Sequence, residues 1–496
     1  MHFLGIDVGI SYMKLCLIDE QGSEKYVLKF KNNYLIDDGI FKEMDIREVF
    51  KNILSGIGNI KKEKPDQFKD IRSISVSTHG STFVLLDKEK KEISNAISVF
   101  DLRAKKECIE LNKIINGQKN YYISGHNKIT EFHAITKLVW IKKNDKELFK
   151  TIDKVLFLED YIIFKLTGKT VTDKSIASIS GLFDINSHCW QRDHLEIIGL
   201  KENNFAEFTE GGTIVGNILE RVADETGLSK NVNITTGLLD ALANSLGSGN
   251  YGYGKIVECS GTVLSVIINS EKPIYNKFKI PVNYFVNNIY SLLPYSPSAG
   301  SLIDWFGSNF YNLKDYYSEM DGELRYCKPS IENIIFIPYV ISSSIINNDI
   351  KSRGLFFGID LNHKKRDFYL SIVESIAFIL KENIEELEKI TVKKDCPIIS
   401  VGGAIKNKFL NQIKADVLNR AIIITKNKEV GCLGVAILAA AANNEYDSLE
   451  QACNNMVKTK EIYNPEKKFL NLYEKRYRRF KEIYNNIKSL YLKYYN

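Results

Sequence analysis

Two acids set the chemistry open to this chain. Asp240 follows the apolar lead Val232-Asn233-Ile234-Thr235-Thr236, which reads as a short strand, and precedes the small-residue run Ala241 to Gly249, which reads as a helix start. A carboxylate at a strand end of an α/β sheet points into the crevice where ligands bind. Small residues behind it let backbone and substrate approach closely. The plain alternative for Asp240 is a helix N-cap. Asp7 closes the strand Phe3 to Gly9 and is followed by the returning strand Ser11 to Ile18. An acid at the lip of a backbone-rich turn, with Lys14 beyond it, suits phosphate oxygens and a divalent metal. Here the alternative is an ordinary hairpin with a surface lysine.

These acids need elements to place them. Ile71 to Ser77 reads as a strand running into Thr78-His79-Gly80-Ser81, and Ile97 to Phe100 as one running into Asp101-Leu102-Arg103. His79, Asp101 and Arg103 thus lie just past strand ends, where polar groups for a small polyhydroxylated ligand belong; a turn histidine and a local ion pair are the competing readings. Thr130 to Lys165 reads as mainly helical, and Thr172 to Gly181 as a small polar segment lining a cavity or packed under one. Lys255 to Ile267 repeats the strand, tight turn, strand pattern of Phe3 to Ile18, which suggests two copies of one fold facing each other. Its turn, Gly261-Thr262, offers backbone N–H groups and a hydroxyl to phosphate. A helix from about Lys365 to Thr391 precedes Cys396 to Val401, a buried strand entering Gly402-Gly403-Ala404 and then a helix through Leu418. Such a turn lets a planar base lie on backbone with a helix N-terminus facing phosphate. The alanine-rich helix beginning near Val430 predicts close packing, and the tail from Asn464 an amphipathic helix docked on the body rather than a membrane- or RNA-binding arm.

Composition bounds the rest. The chain has 496 residues, too many for one core, with 44% hydrophobic and 26% charged residues. A net charge of +6 over this length does not argue for nucleic acid. Its eight cysteines are scattered without metal spacing, which favours reduced thiols in a cytoplasmic protein. No apolar run approaches the ~18 residues a membrane span needs, and the first residues read as a strand rather than a signal peptide.

Five stretches in this order resemble the FGGY family of carbohydrate kinases, in the actin-like ATPase superfamily. They are Gly5 to Gly9 with Lys14; Gly237 to Gly249 around Asp240; Ser260-Gly261-Thr262; Gly402-Gly403-Ala404 with Asn407, Gln412 and Ala415-Asp416-Val417; and Glu429 through Ala436. The resemblance implies an α/β fold of two ribonuclease-H-like domains with a deep cleft between them, 1–245 on the sugar side and 246–496 on the nucleotide side. It further implies ATP-dependent phosphorylation of a sugar hydroxyl with Mg²⁺, with Asp240 as catalytic base and Asp7 and Asp240 as metal ligands. Gly9, Lys14, Gly261, Thr262, Gly402, Gly403, Ala404 and Asn407 match nucleotide-binding positions. Ser77-Thr78-His79-Gly80 is similar to the sugar-contacting segment of xylulose kinases, with Asp101 and Arg103 following, so a ketose is the expected substrate. Ser175 to Asp184 looks as much like gluconate kinases, which keeps an aldonate or polyol as the alternative. A non-catalytic ATP- or sugar-binding regulator has no need of the base. Ile10 replaces the family's usual Thr or Ser, Val263 a frequent Ser, and Ser342 to Asp349 lacks a common Gly-Glu-Arg. Homodimers are frequent in the family, and no segment here marks such an interface.

Overall fold

The two strand–turn–strand segments are the centres of two mixed sheets with one pairing pattern. The computed structural model describes residues 1–261, 263–311, 316–340, 351–391 and 395–494, so Thr262 and Ser342 to Asp349 lie outside the described residues. The first sheet runs Glu24–Lys31, Tyr12–Asp19, His2–Val8, Ile71–Thr78, Asn233–Thr235, Ile214–Asn217. Successive neighbours pair antiparallel, antiparallel, parallel, parallel, antiparallel. The second has two further strands, Val282–Tyr284 and Tyr295–Ser296, at one side; from there Tyr290–Leu292, Leu264–Ser270, Ile256–Ser260, Ile398–Val401, Ile422–Thr425, Thr459–Tyr463 repeat those directions in the same order. The expected duplication within an α/β fold is therefore present. His2–Val8 is covered on both faces, which is why it is almost continuously apolar until Asp7.

Between the sheets two helices meet, Asp240–Gly247 and Val430–Ala442. A side chain on Gly434 would stand 2.0 Å from the Ala243 carbonyl oxygen, and one on Gly247 1.8 Å from that of Val430. Below them Gly5 of the first sheet leaves room for the Cys432 carbonyl, which would lie 2.2 Å from an added Cβ. Small residues thus bring backbone onto backbone, the close packing expected of the alanine-rich helix. Val430–Ala442 comes late in the chain yet packs on His2–Val8 and Ile71–Thr78, and one apolar cluster joins residues of both sheets.

Two sequence readings need correction, and a third needs refining. Thr130 to Lys165 is mainly helical, but helices Ala134–Asn144 and Lys146–Thr151 are parted from the helix Leu158–Thr167 by the strand Lys154–Phe157. Val155-Leu156-Phe157 is a short apolar run that periodicity cannot distinguish from buried helix, and its partner strand, Phe83–Leu86, is distant in sequence. The strand expected over Ile97 to Phe100 is only Ala96–Ile97. The N-cap is Leu239, and Asp240 is the first residue of its helix. The tail forms the helix Leu470–Tyr494, whose Tyr473, Tyr477, Phe480 and Tyr484 are buried, with Arg476 paired to Glu374 and donating to the carbonyls of Ser330 and Asn333. No described helix is long and apolar enough to cross a membrane.

Candidate active site

Asp7 stands at the end of the central strand of the first sheet, in register with Lys14 on one neighbour and Ser77 on the other. Ser77 Oγ donates to Asp7 Oδ1 over 2.8 Å. Lys14 Nζ pairs with Glu429, the N-cap of the alanine-rich helix, at 2.6 Å. That helix starts almost on top of Asp7: a Cβ on Gly431 would be 3.0 Å from Asp7 Oδ2 and 3.1 Å from Asn244 Oδ1. Burial raises the Asp7 pKa, opposed by the Ser77 hydrogen bond and the Lys14 charge. The turn beyond Asp7 is tied down by Asn32, whose amide donates to the Gly9 carbonyl (2.6 Å), and by Tyr34, whose hydroxyl donates to that of Ile10 (3.1 Å).

Asp240 is positioned from below. The Gly237 N–H donates to Glu159 (2.7 Å) and the Leu239 N–H to Ser175 Oγ (2.9 Å). A Cβ on Gly237 would collide with the Val76 carbonyl at 1.8 Å, so only glycine fits there. Ser175 belongs to a short helix, Lys174–Ser178, capped by Asp173. Glu159 and Asp173 are fully buried, and burial raises both pKa values, that of Asp173 to about 6. The segment Thr172 to Gly181 therefore packs under the Asp240 loop, one of its two expected places.

The Asp240 carboxylate is partly accessible and accepts from the N–H of Ala241 (2.7 Å). It faces a cavity of about 130 Å³ with Ala241 and Asn244 on one wall and Val257, Cys259, Ser265 and Val401 of the second sheet on the other. Burial first, and then the charge of Asp7, push its pKa up to about 7. A carboxyl tuned to that value is half ionised at neutral pH, which suits proton acceptance.

On the other side of Asp7, His79 is buried and held twice by Val8: its N–H donates to the Val8 carbonyl (3.0 Å), and Nδ1 lies 2.9 Å from the same oxygen. Burial lowers its pKa to about 4, so the ring is neutral. Nδ1 must then carry the proton, which leaves Nε2 as an acceptor. Nε2 and the neighbouring Thr78 Oγ1 are buried without a protein partner, an arrangement that calls for a hydroxyl-bearing ligand or water. Asp101 and Arg103 are engaged with each other. Arg103 Nε and Nη2 both reach Asp101 at 2.7 Å, Nη2 also pairs with Glu43 (2.5 Å), and the guanidinium lies over Phe41 and Trp140. Asp101 is fully buried and also accepts from the Lys42 N–H at 2.7 Å. The local ion pair weighed from the sequence is present.

The second sheet carries a larger cavity of about 610 Å³. Gly261, Gly403, Ala404 and Asn407 line it together, with Lys406 and with Asp304, Tyr317 and Asp321 opposite. Gly402 turns the chain at φ +94°, where an added Cβ would be 2.7 Å from the Ser260 carbonyl oxygen. A single 3₁₀ turn, Gly403–Lys406, follows before Asn407 caps the helix Lys408–Leu418 by accepting from the Leu410 N–H. Asn407 Nδ2 donates to Asp321 (2.6 Å), which also accepts from the Tyr369 hydroxyl (3.0 Å). Sequence reading missed Glu159, Asp304, Tyr317, Asp321 and Tyr369. Each belongs to an unremarkable segment and gains its place only through long-range folding.

The comparisons with known proteins identify the family and the fold. The model of the FGGY family of carbohydrate kinases, N-terminal domain, matches residues 2–247, and that of the C-terminal domain matches 229–443. A xylulose kinase of Bacillus subtilis is 26% identical over 492 residues, covering 99% of this chain and 98% of its own. A ligand-bound xylulose kinase from Lactobacillus acidophilus superposes with a TM-score of 0.90 at 22% identity, covering 99% of each chain. A gluconate kinase from the same organism gives the same TM-score, identity and coverage. With its two domains built on one duplicated sheet, this chain is an ATP-dependent sugar kinase and belongs to the FGGY family of carbohydrate kinases.

Proposed function

We propose that the protein transfers the γ-phosphoryl group of ATP to a hydroxyl of a ketose such as xylulose, with Asp240 as general base. The observation that carries this reading is the placing of the Asp240 carboxyl on the cavity between the two sheets, beside a second acid, Asp7, with burial and that charge pushing its pKa up. A sugar hydroxyl is a poor nucleophile, and Asp240 takes its proton as attack on phosphorus proceeds. The chain's other tasks are alignment and charge placement, which dominate phosphoryl transfer. The turn at Gly9 with Lys14, and the turn at Gly261 with Thr262, hold the phosphates. Gly402, Gly403, Ala404 and Asn407 hold the base-side end of the nucleotide. His79 Nε2 accepts from a sugar hydroxyl, and the Asp101–Arg103 pair shapes the sugar side.

Asp7 and Asp240 suit a divalent cation such as Mg²⁺. Among the described residues no group of three or more His, Cys, Asp or Glu could enclose a metal, and Mg²⁺ is usually held by one or two carboxylates with phosphate oxygens and water. When bound, the cation neutralises charge on the phosphates. Under this reading 1–245 is the sugar-side domain and 246–496 the nucleotide-side domain of a cytoplasmic enzyme. The full-length relatives named xylulose kinase support the ketose. The competing aldonate reading rests on Ser175 to Asp184 and on the likeness to the gluconate kinase. ADP release with Mg²⁺ across ketoses, aldonates and polyols decides between them. Turnover on a ketose with at least tenfold higher kcat/KM than on gluconate is the expected result; the reverse ranking refutes the ketose assignment.

A further inference from the structure

Behind the larger cavity lies an ion pair that the chemistry above does not use. Lys414 and Glu258 are both fully buried, with Nζ 2.5 Å from Oε1. Lys414 also donates to Ser260 Oγ (2.9 Å) and Ser400 Oγ (3.4 Å), and each hydroxyl in turn donates to Glu258. All three ammonium hydrogens and both carboxylate oxygens are thereby engaged. A buried ion pair adds little net stability over apolar residues of similar volume, although removing one partner is costly. Its distinguishing property is geometry, because a satisfied network admits one arrangement of its members.

The members sit on the three elements that form one wall of the cavity. Glu258 and Ser260 lie on Ile256–Ser260, which ends at Gly261. Ser400 lies on Ile398–Val401, which ends at Gly402, and Lys414 on Lys408–Leu418, which Asn407 caps. Glu258 and Ser400 are direct partners in the parallel ladder. Ser260, Gly261, Gly403, Ala404 and Asn407 all line the cavity. We propose that Lys414 is a positioning residue for the nucleotide: its bonds to Glu258, Ser260 and Ser400 fix the phosphate-side turn at Gly261 against the base-side turn at Gly402. This rests on the assignment of the 610 Å³ cavity to the nucleotide.

The test is ADP binding by calorimetry, with KM for ATP, KM for sugar and melting temperature measured on the same proteins. The double variant E258L/K414M keeps volume and strands no charge. It is expected to melt within a few degrees of the wild type, bind ADP at least tenfold more weakly and raise KM for ATP in proportion, with KM for sugar within twofold. Unchanged ADP affinity overturns the proposal. If the double variant does not fold, Ser400→Ala, which keeps the ion pair, decides: about threefold weaker ADP binding supports the role, and none removes it. Ala404→Phe, which fills the cavity, separates the two layers of the argument. If it leaves ADP binding intact, the cavity assignment falls and takes the positioning role with it. If it abolishes ADP binding while E258L/K414M does not weaken it, only the role of Lys414 falls.

Discussion

Asp240→Asn is the sharpest perturbation available. Asparagine matches aspartate in shape, and its Oδ1 still accepts from the N–H of Ala241, the contact that holds Asp240 in place. Helix packing is thus preserved, and one of two neighbouring negative charges is removed. Loss of a positioned general base costs roughly 10²–10⁴-fold in rate, about 3–5 kcal/mol of transition-state stabilisation. The effect belongs in kcat at saturating sugar, with ADP affinity held within about threefold. The wild type adds a second signature. In the metal-free protein burial and the Asp7 charge push the carboxyl up to about 7, a midpoint to be read by titration. Because the Asp7 charge helps raise that pKa, Asp7→Asn moves the Asp240 titration midpoint downward, measurable by carbon-13 NMR of the metal-free protein. An Asp240→Asn enzyme keeping more than a tenth of kcat refutes the assignment.

Ser175→Ala strands the buried N–H of Leu239, and is expected to cost about 1–3 kcal/mol in urea unfolding. It also lowers kcat roughly tenfold while ADP affinity stays at the wild-type value. Arg103→Ala leaves the buried Asp101 without its partner and should destabilise by about 3–5 kcal/mol; a rise in sugar KM without loss of stability would instead make Arg103 a direct ligand. Acid is expected to weaken the fold through buried neutral histidines. His126 is held near 4 by burial against an ordinary 6.5, so the unfolded chain binds the extra proton as pH falls between those values. Its contribution is full above about 6.5, and about 2.5 kcal/mol of it is gone by pH 4.5. His126→Gln should flatten the pH dependence of stability by that amount, read from urea titrations at pH 7 and 4.5.

The candidate site was legible in the sequence where chemistry and backbone coincide. Asp7, Asp240, Gly402 and Asn407 each sit at a strand end or turn whose residue types announce it, and the repeated strand–turn–strand pattern disclosed the duplicated sheet. The parts that escaped depend on pairing across the chain. Lys154–Phe157 is a strand because Phe83–Leu86 lies beside it, which no local window contains. Glu159 reads as a helix residue among charged neighbours until Gly237, 78 positions later, donates its N–H to it. Asp321 gains meaning only when Asn407 and Tyr369 converge on it. The pairing of Asp101 and Arg103 was foreseen, but Phe41, Trp140 and Glu43 around it were not, since those come from other elements.

The contact of Gly434 with Ala243 and of Gly247 with Val430 has a consequence for the two acids. The helix that begins at Asp240 and the helix that begins beside Asp7 touch through their backbones. The separation of the two acids is therefore inherited from peptide geometry and a pair of glycines rather than from a jigsaw of variable side chains. Neither Gly247 nor Gly434 has room for a side chain. A side chain at either position would push the two helices apart and with them the two acids.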